Sequence, residues 1–274
     1  MKKINFTKMQ SLGNDFIVVD NLKSQNFKPN KKDIVKLCDR NYGVGCDQLL
    51  ILNKSQKKDI DFKYQIFNKD GSESGQCGNG GKCVAKYFFD NYKSKEDVVN
   101  VETISRNIKL YKSKNNYFMI DMGKPNLKPK DFFSKNNYFN YKENKYFFYT
   151  VELGNPHAIF FVRKSNKFDI EEFSNKFLKK GLFKKGANIS FVEKISDGGW
   201  KANIYERGAG ITKSCGSAAC AIAVSSKSLR FPYKKSNYVH MQGGKALVKW
   251  SGNINDSVFL VGKAEYTFNG NFIL

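Results

Sequence analysis

The amino-acid sequence contains an internal repeat. Three segments of the first half recur in the same order in the second half, and each series ends at a cysteine followed by glycine. The matched segments are Leu12-Gly13-Asn14 with Leu153-Gly154-Asn155, Gly45-Cys46-Asp47-Gln48 with Gly186-Ala187-Asn188, and Ile66-Phe67-Asn68 with Ile204-Tyr205-Glu206. Gly13 precedes Cys77 by 64 residues and Gly154 precedes Cys215 by 61. Agreement of order and spacing indicates a duplication, and hence two domains of similar fold.

Each half has the pattern of several short strands, a glycine-rich turn that carries the cysteine, and one apolar helix. The runs 80–89 and 218–224 have the apolar spacing of helices, with Asn79 and Ser217 as the expected N-caps. The sequence therefore predicts an α+β fold of two pseudosymmetric domains. Each is expected to wrap mixed β-strands around a central helix, with the active site in the cleft between them.

The length of 274 residues suits two such domains. We place the first at residues 1–121, with Cys77, and the second at 122–263, with Cys215. The strand-like stretch 264–274 is expected to return to the first domain. No run approaches the roughly 20 apolar residues that a membrane-spanning helix needs, and no apolar run follows the basic start of the chain. We expect a soluble, cytoplasmic protein without membrane association.

The formal net charge of +22 raises the alternative of a nucleic-acid-binding protein. Only five of the 47 basic residues are arginines, however, although arginine is favoured for reading bases and gripping phosphates. The lysines are scattered along the chain. This pattern favours a solvated basic surface over a nucleic-acid partner.

Six cysteines in a chain of this kind do not predict a disulfide framework. There is no C-x-x-C pair and there are only two histidines, so no metal site is expected. Four cysteines fit buried structural positions, because they fall within apolar patterns: Cys38, Cys46, Cys83 and Cys220.

Cys77 and Cys215 have a different setting, since each immediately precedes a predicted helix. A helix N-terminus stabilises a thiolate and binds carboxylates through its unpaired N–H groups. Two such thiols fit the removal of a proton from one face of a carbon and its return on the other. No motif requires a cofactor, so electrostatic stabilisation and positioning would have to supply the rate. Oxidation to a Cys77–Cys215 disulfide would abolish this chemistry.

His157 and Glu206 lie in the duplicated segments, Glu206 nine residues before Cys215. Alone, a histidine is commonly a structural residue and a glutamate beside Arg207 a surface ion pair. Their place in the repeat favours a polar role in the active site.

At these positions the chain resembles the diaminopimelate epimerase family, and the resemblance covers essentially the whole sequence. The matching blocks run from Lys8 to Phe16, Gly43 to Gln48, Phe67 to Glu73, Cys77 to Gly80, Gly154 to His157, Tyr205 to Gly208 and Cys215 to Ser217. The resemblance implies an isomerase that interconverts LL- and meso-2,6-diaminopimelate, for lysine and peptidoglycan synthesis, without a cofactor such as pyridoxal phosphate. It also implies a homodimer.

The resemblance assigns the acid and base to Cys77 and Cys215, assisted by His157 and Glu206. The substrate-binding residues that the resemblance implies in this sequence are Asn14, Gln48, Asn68, Gly78, Asn79, Asn155, Asn188, Glu206, Arg207, Gly216 and Ser217. Arg207 would hold the distal carboxylate. The alternatives within the same fold are an amino-acid or proline racemase, which would not need Arg207, and a phenazine-type isomerase, which would lack the cysteine pair.

The chain departs from the family pattern at several positions. Ser11 stands where glycine is usual, Gly81-Lys82 replaces Ala-Arg, Ile211 replaces a glutamate, and Ala218 replaces a glycine. Ala218 is critical if the backbone there needs a positive φ or a close approach, and harmless inside a first helical turn.

Overall fold

The computed structural model describes residues 3–23, 26–164, 169–196, 198–229 and 233–274. The chain forms two compact units, Met1–Asp121 with Val261–Leu274, and Met122–Leu260. None of the helices in the described ranges is long and apolar enough to span a membrane.

Within the described residues, strands alternate with four α-helices. The strands are β1 (Lys3–Ser11), β2 (Asn14–Asp20), β3 (Gln48–Asn53), β4 (Phe62–Asn68), β5 (Val98–Glu102), β6 (Asn107–Ser113), β7 (Tyr117–Asp121), β8 (Tyr138–Tyr141), β9 (Asn144–Phe147), β10 (Tyr149–Leu153), β11 (Asn155–Phe161), β12 (Asn188–Lys194), β13 (Trp200–Glu206), β14 (Gly210–Thr212), β15 (Ser236–Met241), β16 (Gly244–Lys249), β17 (Phe259–Gly262) and β18 (Glu265–Ile273). The helices are α1 (Lys31–Cys38), α2 (Gly78–Asn91), α3 (Ile170–Lys179) and α4 (Gly216–Ser226), with a 3-10 turn at Lys114–Asn116.

In the first unit the strand order is β7-β6-β5-β4-β3-β2-β1-β18. The pairs β1–β2, β3–β4 and β5–β6 are antiparallel, whereas β2–β3 and β4–β5 are parallel. The hairpin between β1 and β2 turns at Leu12 and Gly13, both with positive φ. The last strand, β18, pairs antiparallel with β1 at the edge of this sheet.

The second unit repeats this arrangement in the order β10-β11-β12-β13-β15-β16. The pairs β10–β11, β12–β13 and β15–β16 are antiparallel, and β11–β12 and β13–β15 are parallel. Strand β14 extends β13, and β8 and β9 form a separate hairpin. The predicted α+β fold of two similar halves is therefore confirmed.

The helix after each predicted cysteine is the buried element of its unit. Helix α2 packs on β1, β2, β3, β6 and β7, and α4 packs on β10, β11, β12, β15 and β16. Glycine disfavours a helix by about 1 kcal/mol relative to alanine, so the glycine-rich start of α2 depends on this packing. Helix α4 is buried from Ala218 to Ser226, where its alanines allow close approach of the strands.

Helices α1 and α3 cover the other faces of the two sheets. Ile34 and Leu37 of α1 join a buried cluster with Ile17 and Leu49. In the second unit Phe173 and Phe177 of α3 pack in edge-to-face contacts against Phe160. Because both faces of the central strands are buried, their sequences are continuous apolar runs and not alternating ones.

Candidate functional site

Helix α2 begins at Cys77, which is its N-cap in extended backbone conformation. The Cys77 Sγ accepts a hydrogen bond of 3.2 Å from the Gly80 N–H. Cys215 is likewise the N-cap of α4. The prediction of Asn79 and Ser217 as N-caps is therefore wrong by two residues. In α2 the Cys77 sulfur takes the capping position usually held by an oxygen.

The surroundings of Cys215 favour the protonated thiol. Burial raises the pKa of Cys215 well above its ordinary range, and the charge of the nearby Glu206 carboxylate raises it further. A contact of 3.3 Å with the Ser217 hydroxyl opposes this effect only in part. The Ala218 N–H in the first turn of α4 lowers the pKa of Cys215, as expected for a helix N-terminus, but burial outweighs this effect. Cys77, by contrast, is partly exposed.

Glu206 ends strand β13, and it is held next to Cys215 by strand β14. The Thr212 hydroxyl on β14 donates a hydrogen bond of 2.6 Å to the Glu206 Oε1. Glu206 also hydrogen-bonds to the Cys215 thiol. Its carboxylate can therefore receive or return the proton of this thiol.

His157 lies on β11 and is fully buried. Burial lowers the pKa of His157 to about 3, so its imidazole is neutral at physiological pH. In the β11–β12 pairing it is the register partner of Asn188. A neutral imidazole can orient or relay a proton, but it does not supply a positive charge.

Three predicted amides of the first unit lie at one edge of its sheet, at the starts of β2 and β3 and the end of β4. The Gln48 amide donates to the Asn68 Oδ1 at 2.8 Å, and the Asn14 amide donates to the Asp47 Oδ2 at 2.6 Å. These bonds use the amide hydrogens, so the carbonyl oxygens of Asn14 and Gln48 remain as acceptors. Such oxygens suit a substrate ammonium group.

The corresponding edge of the second unit carries Asn155 and Asn188 at the starts of β11 and β12. The Asn188 Oδ1 accepts a hydrogen bond of 2.9 Å from the Arg207 backbone N–H, which leaves its amide hydrogens to donate. The exposed Arg207 guanidinium donates to the Lys185 carbonyl at 2.6 Å. Donors of this kind suit a carboxylate.

The remaining predicted binding residues belong to the first turns of the two helices. Gly78 and Asn79 open α2, and Gly216 and Ser217 open α4. The first N–H groups of an α-helix have no intrahelical acceptor, so these positions can donate to an anion.

The four cysteines predicted to be structural are buried. Cys83 and Cys220 lie inside α2 and α4. Cys38 and Cys46 are hydrogen-bonded to each other with their sulfurs 3.4 Å apart.

Comparison with known proteins decides between the alternatives that share this fold. The sequence model of the diaminopimelate epimerase family matches residues 6–128 and 149–267. The chain belongs to the diaminopimelate epimerase family. The sequence-based prediction of this family is thereby confirmed.

Two curated relatives named diaminopimelate epimerase are similar over nearly their whole length. The one from Carboxydothermus hydrogenoformans is 37% identical, over 99% of this chain and 100% of its own. The one from Vesicomyosocius okutanii is also 37% identical, over 97% of this chain and 98% of its own.

Solved structures share the fold at low sequence identity. A phenazine biosynthesis protein of the PhzF family from Bacillus anthracis has a TM-score of 0.74 and 15% identity, with both chains fully covered. A hydroxyproline epimerase from Agrobacterium vitis, with bound trans-4-hydroxy-L-proline, has a TM-score of 0.71 and 13% identity, covering 98% of this chain and 92% of that one. These likenesses concern the fold alone.

Two of the departures from the diaminopimelate epimerase pattern, Ala218 and Ser11, are accommodated by the fold. Ala218 is in the first turn of α4 and does not have a positive φ, so its methyl group is tolerated. The Ser11 hydroxyl donates to the Lys263 carbonyl at 2.7 Å. Ile211 is half-exposed on β14, and Lys82 is fully buried in α2.

Sequence reasoning missed two side chains next to the predicted cysteines. These are Thr212, which bonds to Glu206, and Tyr64, whose hydroxyl lies under the first turn of α2. A residue-by-residue comparison of the two halves could have singled out Tyr64, because the matching position of the second half holds Ala202.

Proposed function

We propose that this enzyme interconverts LL- and meso-2,6-diaminopimelate without a cofactor, with Cys77 and Cys215 as its base and acid. The observation that carries this proposal is the contrast between two matching cysteines. Each caps a buried helix, but Cys215 is buried beside a carboxylate, whereas Cys77 is partly exposed and accepts a backbone hydrogen bond. In the LL-to-meso direction one thiol must enter the reaction ionised and the other protonated, and the two exchange these states in the reverse direction.

The reaction begins with a Cys77 thiolate that removes the α-proton of the substrate. Cys215 returns a proton to the opposite face of the α-carbon. Glu206 receives or returns the proton of the Cys215 thiol. The carbanion beside a carboxylate is very basic, so the reaction depends on stabilising its charge. The first-turn N–H groups of Gly78 and Asn79, and of Gly216 and Ser217, are suited to do this.

The distal end of the substrate carries a second carboxylate and a second ammonium group. Arg207 and the Asn188 amide hydrogens suit the carboxylate, and the carbonyl oxygens of Asn14 and Gln48 suit an ammonium. Asn68 and Asn155 complete the set of amides, and neutral His157 assists near the reacting carbon. A proline racemase would have no use for these distal groups.

We further propose a cytoplasmic homodimer that binds neither nucleic acid nor membranes. The cytoplasmic location is inferred from the proposed reaction, which serves lysine and peptidoglycan synthesis. The oligomeric state can be measured by light scattering at several protein concentrations.

The decisive experiment incubates the reduced protein with LL-diaminopimelate in heavy water and stops the reaction at low conversion. Two separate acid and base groups predict deuterium at the epimerised carbon of the meso product, and little deuterium in the recovered LL substrate. Equal labelling of both would indicate a single base. Absence of product and of exchange, from folded protein, would reject the proposed reaction.

The Cys77→Ser and Cys215→Ser variants test the two assignments separately. Each is expected to lose at least about 100-fold in kcat, since general acid–base groups contribute this much or more. Cys220→Ser, inside α4 and outside the proposed site, is the matched control. A Cys77 or Cys215 variant with turnover close to that of this control would refute the two-thiol scheme.

A further inference from the structure

Tyr64 buries a polar group that the fold does not satisfy. It lies on β4 with 1% of its surface exposed, and its hydroxyl has no hydrogen-bond partner among the described residues. A buried hydroxyl without a partner destabilises a protein, and phenylalanine would fill the same space without this cost. The position of the hydroxyl suggests what it is for.

The hydroxyl lies against the first turn of α2, on the same side as the sulfur of Cys77. A Cβ added at Gly80 would be 2.5 Å from the Tyr64 hydroxyl oxygen and 3.3 Å from the Cys77 Sγ. Both atoms therefore border the space beside the bare α-carbon of Gly80. Since the φ of Gly80 is not positive, close approach of these side chains is what excludes larger residues there.

The second half of the chain lacks this arrangement. A constant offset of 138 residues relates Cys77 to Cys215, Tyr64 to Ala202 and Gly80 to Ala218. Ala202 has no hydroxyl, and the methyl group of Ala218 is accommodated. The same offset relates Asn68 to Glu206, the carboxylate beside Cys215. The two cysteines thus differ in their neighbours. Cys77 has a hydroxyl donor nearby, whereas Cys215 has an anionic acceptor.

The Tyr64 hydroxyl keeps its proton and is able to donate it in a hydrogen bond. Burial raises the pKa of Tyr64 well above its ordinary range, and the charges of Cys77 and Cys83 raise it further. The proton therefore stays on the oxygen throughout the working pH range. A donor beside a sulfur favours the charged form of that sulfur.

We propose that Tyr64 is a positioning residue whose hydroxyl donates a hydrogen bond to the sulfur of Cys77 when that sulfur is a thiolate. This inference rests on the role proposed for Cys77 as the base. The Gly80 N–H supplies one donor to the sulfur and the Tyr64 hydroxyl the second. The cost of burying the hydroxyl in the resting protein is recovered when the thiolate forms.

The test uses Tyr64→Phe, which removes the oxygen and keeps the ring. Alkylation of Cys77 by iodoacetamide is followed as a function of pH, with mass spectrometry of the Cys77 peptide. The midpoint of the reactivity profile is expected to move to higher pH by about one unit, and kcat to fall about tenfold. The matched control is Tyr87→Phe, on α2, which loses a hydroxyl bonded to Asp20 and should leave the profile unchanged.

Stability provides a second readout. Tyr64→Phe is expected to unfold at a urea concentration equal to or above that of the wild type, because it removes an unsatisfied buried hydroxyl. Tyr87→Phe is expected to unfold at a lower concentration, because its hydroxyl is paired. Loss of activity with unchanged or increased stability excludes a purely structural role for Tyr64. Should Tyr64→Phe not fold, Tyr64→Met, which also lacks a donor, replaces it in the same comparison.

An alkylation profile of Tyr64→Phe that coincides with that of the wild type would overturn the inference. The alkylation experiment needs no substrate. A shifted profile in a protein inactive on diaminopimelate would retain the Tyr64–Cys77 interaction while rejecting the proposed function. An unshifted profile in an enzyme active on diaminopimelate would retain the proposed function and reject the Tyr64–Cys77 interaction.

Discussion

Thr212 donates a hydrogen bond of 2.6 Å from its hydroxyl to the carboxylate of Glu206. Where β14 folds back on β13, Thr212 is the register partner of Ile204, two residues before Glu206, so the bond runs diagonally between the two strands. This bond fixes one carboxylate oxygen in a group that also hydrogen-bonds to the Cys215 thiol. The short strand β14 therefore holds the orientation of a proposed catalytic group through Thr212.

Replacement of Thr212 by valine is expected to lower kcat about tenfold, because Glu206 loses a donor while the shape of the side chain is kept. Thr212→Ser, which retains the hydroxyl, should recover most of the activity. The measurement is initial epimerisation rate, with circular dichroism to verify folding. Equal rates for valine and serine at this position would show that the bond has no functional role.

Replacement of Glu206 by glutamine is expected to shift the alkaline limb of the kcat/KM profile to lower pH. The carboxylate is the second cause, after burial, of the raised pKa of Cys215, and the neutral amide does not repel a thiolate. The pKa of Cys215 should fall but stay above its ordinary range, since burial remains. Turnover should also drop by about 100-fold or more if the carboxylate handles the proton of Cys215.

Glu152→Gln is the control for this change, since Glu152, on β10, accepts a hydrogen bond from the Asn126 amide and has no proposed catalytic role. Its pH profile should coincide with that of the wild type. A Glu206→Gln profile without displacement would mean that this charge does not act on Cys215.

Replacement of Gly80 by alanine is expected to destabilise the protein by about 2 kcal/mol, because the new methyl group clashes with the Tyr64 oxygen at 2.5 Å. In the Tyr64→Phe background the oxygen is absent, and most of this loss should disappear. Urea unfolding of the two single variants and the double variant gives the coupling energy directly.

The matched substitution in the other half is Ala218→Gly, which removes a methyl group from a site without such an oxygen. A loss of about 1 kcal/mol from helix propensity is expected there. Additive effects of Gly80→Ala and Tyr64→Phe would contradict the contact between them.

The sequence predicted those features that local patterns encode. Duplicated turns, apolar runs and the spacing to Cys77 and Cys215 were enough for the α+β class and for the buried helices. The N-cap residues were wrong because Asn79 and Ser217 match the usual preference better than a cysteine does. The usual amino-acid preference at N-cap positions is a weak guide where the side chain also has a proposed role in catalysis.

Contacts between distant segments could not be predicted in the same way. Tyr64 meets Gly80 only because β4 lies beneath the start of α2, and the raised pKa of Cys215 depends on how deeply the fold buries it. The difference between the two halves at these positions, Tyr64 and Gly80 in the first and Ala202 and Ala218 in the second, was nevertheless visible in the sequence. Its meaning required the knowledge that these two positions touch.

Burial of His157 predicts a stability that depends on pH. The folded protein keeps the pKa of this histidine at about 3, whereas the unfolded chain has the ordinary value of 6.5. Below pH 6.5 the unfolded state takes up a proton that the folded state does not. The free energy of unfolding should therefore decrease as the pH falls from 6.5 towards 3, by about 2 kcal/mol between pH 6.5 and 5. Above about pH 7.5 this group contributes almost no slope, because the unfolded state is then also largely neutral.

His157→Gln removes the titrating group, so the difference in unfolding free energy between wild type and variant should change by that amount between pH 6.5 and 5. Urea unfolding at several pH values provides the measurement, and His240→Gln serves as the control for loss of a histidine elsewhere. Carboxylates also titrate towards acid pH, and the comparison at fixed pH cancels them. If wild type and His157→Gln kept a constant difference across this range, the folded and unfolded proteins would protonate this histidine alike, and burial would not lower its pKa.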